Sequence, residues 1–68
     1  MRHILGVDIG GTFTDFSLLD DQGGIKLWKE TTTPSEPGLA VQRGLTALAS
    51  AQELGIDAFV KSLDLFVH

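Results

Sequence analysis

Gly6-Val7-Asp8-Ile9-Gly10-Gly11-Thr12-Phe13-Thr14-Asp15 sets two glycines between two largely apolar segments, with an acid ahead of them and a hydroxyl behind. On the N-terminal side, His3–Ile9 (HILGVDI) is a short aliphatic run that stops at the glycine pair, the pattern of a buried strand. On the C-terminal side, Phe13–Asp20 (FTDFSLLD) presents two faces: Phe13, Asp15, Ser17 and Leu19, and Thr14, Phe16, Leu18 and Asp20. Neither is purely polar, which suits a central strand covered on both sides. The decapeptide is therefore expected to form a β-hairpin, with glycine in the turn because tight hairpin turns demand positive φ.

Working outward, Asp20-Asp21-Gln22-Gly23-Gly24 is dense in turn formers and should reverse the chain again. Gly23-Gly24 lacks the acid–threonine frame of the first glycine pair and is expected to be a plain reversal. Ile25–Thr31 (IKLWKET) then alternates Ile25, Leu27 and Lys29 against Lys26, Trp28 and Glu30. It has the look of an edge-side strand guarded by lysines, and Lys26 and Lys29 are expected to form a solvated face. Trp28 is expected to serve packing or a partner contact. Thr32–Glu36 is a linker in which Ser35 is placed to cap a helix, with Glu36 and Pro37 in its first turn. Val41, Leu45, Leu48 and Ala49 follow at helical spacing within Leu39–Leu54, and Gln42, Arg43, Thr46 and Ser50 fall opposite. Gly55 is expected to end that helix in the left-handed conformation. Ile56–Ser62 has room for one helical turn, and Leu63–Val67 (LDLFV) reads as a fourth strand, parallel to the first.

The order is thus β-β-β-α-β, an α/β arrangement with a mixed sheet and one helix-covered face. Nothing else in the 68 residues covers the other face, and the fourth strand leaves an apolar edge. Further chain or another subunit is expected to complete the sheet. A domain this small buries a modest share of its surface. Without cysteine it has neither disulfides nor thiolate metal sites to compensate. His3 and His68 stand at opposite ends and make a poor ligand pair; His3 is expected to be partly exposed, and His68 receives no role. The composition, 43% apolar and 21% charged, is that of a globular protein and argues against disorder. The net charge of −4 and the lack of a Lys/Arg stripe exclude a nucleic-acid surface. No run is long enough to cross a bilayer, and the N-terminus lacks the length and cleavage pattern of a signal peptide. A cytoplasmic location is expected.

The hairpin carries the chemistry. Successive backbone N–H groups in a glycine turn can face one concavity and bind an anion, and a missing Cβ lets a ligand approach closely. Thr12 adds a hydroxyl at the lip. Asp8 alone would repel phosphate; with Mg²⁺ between them the sign reverses, because Mg²⁺ favours one or two carboxylates together with phosphate oxygens and water. A Walker A loop is excluded, since Thr12 stands where its lysine belongs and a strand follows. The G-x-G-x-x-G dinucleotide fingerprint is absent.

Asp8-Ile9-Gly10-Gly11-Thr12 resembles the first phosphate loop of the actin, heat-shock-chaperone and sugar-kinase superfamily, whose ATPase domains have a ribonuclease H-like fold. The longer string through Phe13-Thr14-Asp15 resembles the N-terminal region of the hydantoinase A and 5-oxoprolinase family, which includes ATP-dependent acetone and acetophenone carboxylases. The similarity continues through the acidic Gly-Gly turn, the Thr-Thr-Pro linker, Leu54-Gly55-Ile56-Asp57 and Leu65-Phe66-Val67-His68. It implies that residues 1–68 form the N-terminal portion of such an ATPase domain, a partial actin-like subdomain. It also implies an ATP-dependent hydrolase or ligase that phosphorylates a carbonyl or enolate oxygen, working within a larger chain or hetero-oligomer on a small molecule. By position, Gly10, Gly11 and Thr12 would hold the β- and γ-phosphates of ATP and Asp8 would organise Mg²⁺. Asp15 matches the pattern and either braces the hairpin or faces the cleft. Two other readings stand beside this one. The chain has the Asp-x-Gly-Gly-Thr start of sugar kinases and kinase-like regulators, although Phe13-Thr14-Asp15 is not their usual continuation. It also suits a non-catalytic small subunit or fragment that completes a partner's sheet.

Overall fold

Four strands and two helices follow in the order β1 (His3–Ile9), β2 (Phe13–Asp20), β3 (Ile25–Thr31), α1 (Pro37–Ala51), α2 (Ile56–Lys61) and β4 (Leu63–Val67). They are seen in a computed structural model that describes residues 2–67. The strands form one mixed sheet in the order β3-β2-β1-β4. β1 and β2 are antiparallel with Asp8 opposite Asp15 and Ile9 opposite Thr14. β2 and β3 are antiparallel with Asp15 opposite Lys29. β4 lies parallel to β1, with Leu5 beside Leu65. The expected meander, helical crossover and parallel fourth strand are all present, and β3 occupies an edge.

The helices cover one face. Leu5 and Val7 from β1 and Phe16 and Leu18 from β2 share that face by strand alternation. They are buried against Leu48 and Ala49 of α1 and Phe59 of α2. Burying the Val, Leu and Phe side chains among them contributes roughly 1.5–3 kcal/mol each, so this layer is the source of the fold's cohesion. The expected stripe holds, and α1 also buries Ala40 and Gly44. Gly44 has a steric reason that helical spacing does not reveal. A Cβ there would lie 2.0 Å from the Phe16 ring, so the helix can approach the sheet this closely only without one.

The opposite face is bare, which corrects the expectation that β2 is covered on both sides. Ile4, Leu19, Ile25, Leu27 and Phe66 are exposed there, with Ile25, Leu27 and Phe66 at 68%, 71% and 63%. Apolar exposure spread over all four strands on one face is far more than scattered surface residues explain.

Several local expectations need correcting. Glu36, not Ser35, is the N-cap of α1, and no side chain caps the helix. The Glu36 N–H donates to the Thr33 carbonyl at 2.9 Å, so Ser35 is taken up by a turn that Pro34 favours by fixing its own φ. α1 ends three residues before Leu54. Its left-handed residue is Glu53, at φ 59, while Gly55 is extended and opens α2. The Leu54 N–H donates to the Ala49 carbonyl and the Glu53 N–H to that of Ser50, a Schellman arrangement closed without glycine. His3 is buried rather than partly exposed. Its Nδ1 lies 2.9 Å from Ser62 Oγ, which is itself 2.6 Å from the Phe59 carbonyl. Since that carbonyl only accepts, the Ser62 hydroxyl donates to it and the His3 Nδ1–H donates to Ser62. His68 lies outside the described residues.

Candidate functional site

The hairpin loop Gly10-Gly11-Thr12 joins the end of β1 to the start of β2, beyond the paired Ile9 and Thr14. Its closing contact is the Gly10 N–H donating to the Phe13 carbonyl at 2.9 Å. Gly10, Gly11 and Thr12 are all exposed, with no side chain sealing the bend. Neither glycine has positive φ; among the described glycines that conformation belongs to Gly23, at φ 83. The expected conformational reason for the glycine pair is therefore wrong, and space is what remains to account for it. A Cβ on Gly10 would sit 2.9 Å from the Phe13 carbonyl oxygen, so the hairpin's own closure excludes one. A Cβ on Gly11 would meet nothing within 4 Å. Nothing among the described residues requires Gly11 to be glycine.

The segment just after the third strand holds the loop in place. The Thr32 N–H donates to the Thr12 carbonyl at 2.8 Å, and the Thr32 and Thr14 hydroxyls share a buried hydrogen bond, also at 2.8 Å. The loop and the start of β2 are thus tied to Thr32, the residue that follows β3. Sequence reading passed over this clamp. The available signal was Thr14, a hydroxyl at a position of β2 that otherwise points into the apolar layer.

The open face of the sheet carries the charged groups of the site. Asp8 and Asp15 are directly opposite on adjacent strands and therefore project from the same face, both exposed. Lys29 is opposite Asp15 on the next strand, and its Nζ lies 3.5 Å from Asp15 Oδ1. The same ammonium stands 4.7 Å from the centroid of the Phe13 ring. Asp8, Asp15 and Lys29 form a row across three strands beside the loop. The structure brings all five sequence-predicted residues, Asp8, Gly10, Gly11, Thr12 and Asp15, to one end of the sheet. Lys29 joins them, solvent-exposed as expected. Lys26, grouped with it, projects from the other side of β3.

A divalent ion and a phosphate tail suit these residues in kind: an uncrowded Cβ-free position, a hydroxyl, and carboxylates on one exposed face. Among the described residues no cluster of three or more His, Cys, Asp or Glu is arranged to hold a metal by itself. No helix of the described residues is long and apolar enough to cross a membrane.

Known proteins share both the fold and the sequence. The structure of diol dehydratase-reactivating factor in nucleotide-free form superposes on the whole chain with a TM-score of 0.68 at 22% identity, over 12% of that factor's length. The fold is accordingly α/β of the actin-like type, as expected. Caprolactamase subunit alpha of Pseudomonas jessenii is 51% identical over 50 residues, 74% of this chain and 7% of that subunit. The chain spans only this small share of the curated relative it matches. Residues 4–62 match the family model described as the hydantoinase/oxoprolinase N-terminal region. The chain belongs to the hydantoinase/oxoprolinase family.

Proposed function

We propose that Gly10-Gly11-Thr12 seats the phosphate tail of ATP, with Asp8 organising Mg²⁺ and its waters, within an enzyme that opens a cyclic amide at the expense of ATP. The observation that carries this reading is Gly11. It has neither a conformational nor a steric need to be glycine within the fold, yet it stands at the exposed tip of a clamped loop. A ligand's close approach is a reason for such a residue. ATP supplies the phosphoryl group that activates the substrate's carbonyl oxygen, and Mg²⁺ offsets the charge on it. The chain's part is to hold and orient. The Thr32–Thr12 and Thr14–Thr32 bonds fix the loop, which lowers the ordering cost of binding. Asp8 supplies a carboxylate beside that loop.

Family membership supports ATP dependence, and the similarity to a caprolactamase subunit favours a cyclic amide over a ketone. The same similarity, to a protein named as a subunit, supports work alongside other subunits in a hetero-oligomer. The bare sheet face also suits a chain that functions inside a larger assembly.

The test is Asp8→Asn in the protein or assembly that carries this chain. Mg²⁺-dependent ATP turnover should fall by at least about a hundredfold, the scale of losing one preorganised electrostatic group, with far-UV circular dichroism unchanged. Near-normal turnover would show that Asp8 has no part in handling the metal.

A further inference from the structure

We infer that Lys29 is a phosphate-binding cation of this cradle, held beside it by Asp15 and the Phe13 ring. The inference rests on the nucleotide reading above and adds to it a positively charged side chain. The strand register puts Asp8, Asp15 and Lys29 in one row on one face, on β1, β2 and β3 in turn. Lysine thereby shares a face with both carboxylates, on the strand next to Asp15. Its Nζ is 3.5 Å from Asp15 Oδ1 and 4.7 Å from the centroid of Phe13, the residue that follows the loop.

Both partners of the ion pair are more than half exposed, Lys29 at 59% and Asp15 at 54%. Such a pair is weak and exchangeable. It positions the ammonium without committing it. Two carboxylates directly opposite each other repel, so Asp8 and Asp15 together make a cation on this face favourable. When a polyanion enters the loop at Gly11, it presents stronger acceptors than one exposed carboxylate. Lysine then acts as a flexible point charge on a phosphate oxygen, a role for which its compact ammonium is suited. In this proposal Asp15 is the positioning residue, acting through Lys29.

The experiment is calorimetric binding of MgATP and of adenosine to the protein or assembly carrying this chain, with wild type, Lys29→Met, Lys29→Arg and Lys26→Met. Lys29→Met should weaken MgATP by about tenfold or more, the scale of one charge-assisted hydrogen bond, and leave adenosine unchanged. Lys29→Arg should restore most of the loss, and Lys26→Met, on the opposite face, should bind as wild type. Combining Asp15→Asn with Lys29→Met should weaken MgATP no further than Lys29→Met alone. Wild-type MgATP affinity in Lys29→Met would overturn the role of Lys29 and leave the cradle standing. Failure of the wild type to bind MgATP would remove the cradle and Lys29 with it. A lowered melting temperature in Lys29→Met with unchanged affinity would assign the pair to stability and likewise overturn the inference.

Discussion

The meander contains two glycine pairs in two turns, and the reasons for them are different. At Asp20–Gly24, glycine serves the fold. Gly23 has φ 83, a conformation that costs other residues strain. The Asp20 carboxylate accepts from the Gln22 and Gly24 N–H groups at 2.8 and 2.7 Å. A Cβ on Gly24 would fall 2.6 Å from that carboxylate. The turn thus employs its own acid to satisfy its own amides. At Gly10-Gly11, neither residue has positive φ, and only Gly10 is confined by a neighbour. The acid there, Asp8, lies on a strand and faces outward beside Asp15. One turn folds its acid onto its own amides, whereas the other holds an uncrowded glycine at an exposed tip. Glycine count and spacing make the two alike; backbone angles and the space around each Cβ separate them.

The sharpest way to break this contrast is to fill both turns. Gly11→Val puts a branched side chain where the proposed phosphate tail approaches. It should weaken MgATP by about a hundredfold, or about 2.7 kcal/mol, with little change in melting temperature. Unchanged affinity by calorimetry would mean that the cradle lies elsewhere. Gly23→Val should do the reverse. A β-branched residue at φ 83 is expected to cost about 2 kcal/mol of stability, read as an earlier thermal transition, while MgATP affinity stays as in wild type. If both variants lose affinity and stability together, the two turns are not functionally distinct.

Much of the fold was legible because it rests on short-range signals. The three strands of the meander begin and end where the turn residues and the apolar alternation place them, and β4 follows from a short apolar run. The helix boundaries were less legible, because they depend on competition among local hydrogen bonds. Pro34 draws Ser35 into a turn before it can cap α1, and a Schellman closure leaves Glu53 rather than Gly55 left-handed. His3 was misplaced because its partner, Ser62, is distant in sequence and no periodicity links them. The loop residues of the candidate site were legible as a motif. Lys29 was not, since its alignment with Asp15 follows from a register that the sequence specifies only after β2 and β3 have paired.

The smallest expected effect discriminates best. Gly11→Ala adds one methyl group to a position with no neighbour within 4 Å and no positive φ. The folded state has nothing to lose, and the unfolded chain loses some conformational freedom. Stability should therefore rise by roughly 0.4–1 kcal/mol, or stay level if the loop gains little order. MgATP affinity should fall in the same variant, because the methyl occupies the space left for the ligand. A glycine selected for folding gives losses of stability on substitution; one kept for a ligand gives opposite signs in the two measurements. Thermal unfolding and calorimetry on the same preparation supply both signs. A loss of stability in Gly11→Ala would show that Gly11, like Gly23, is there for the backbone.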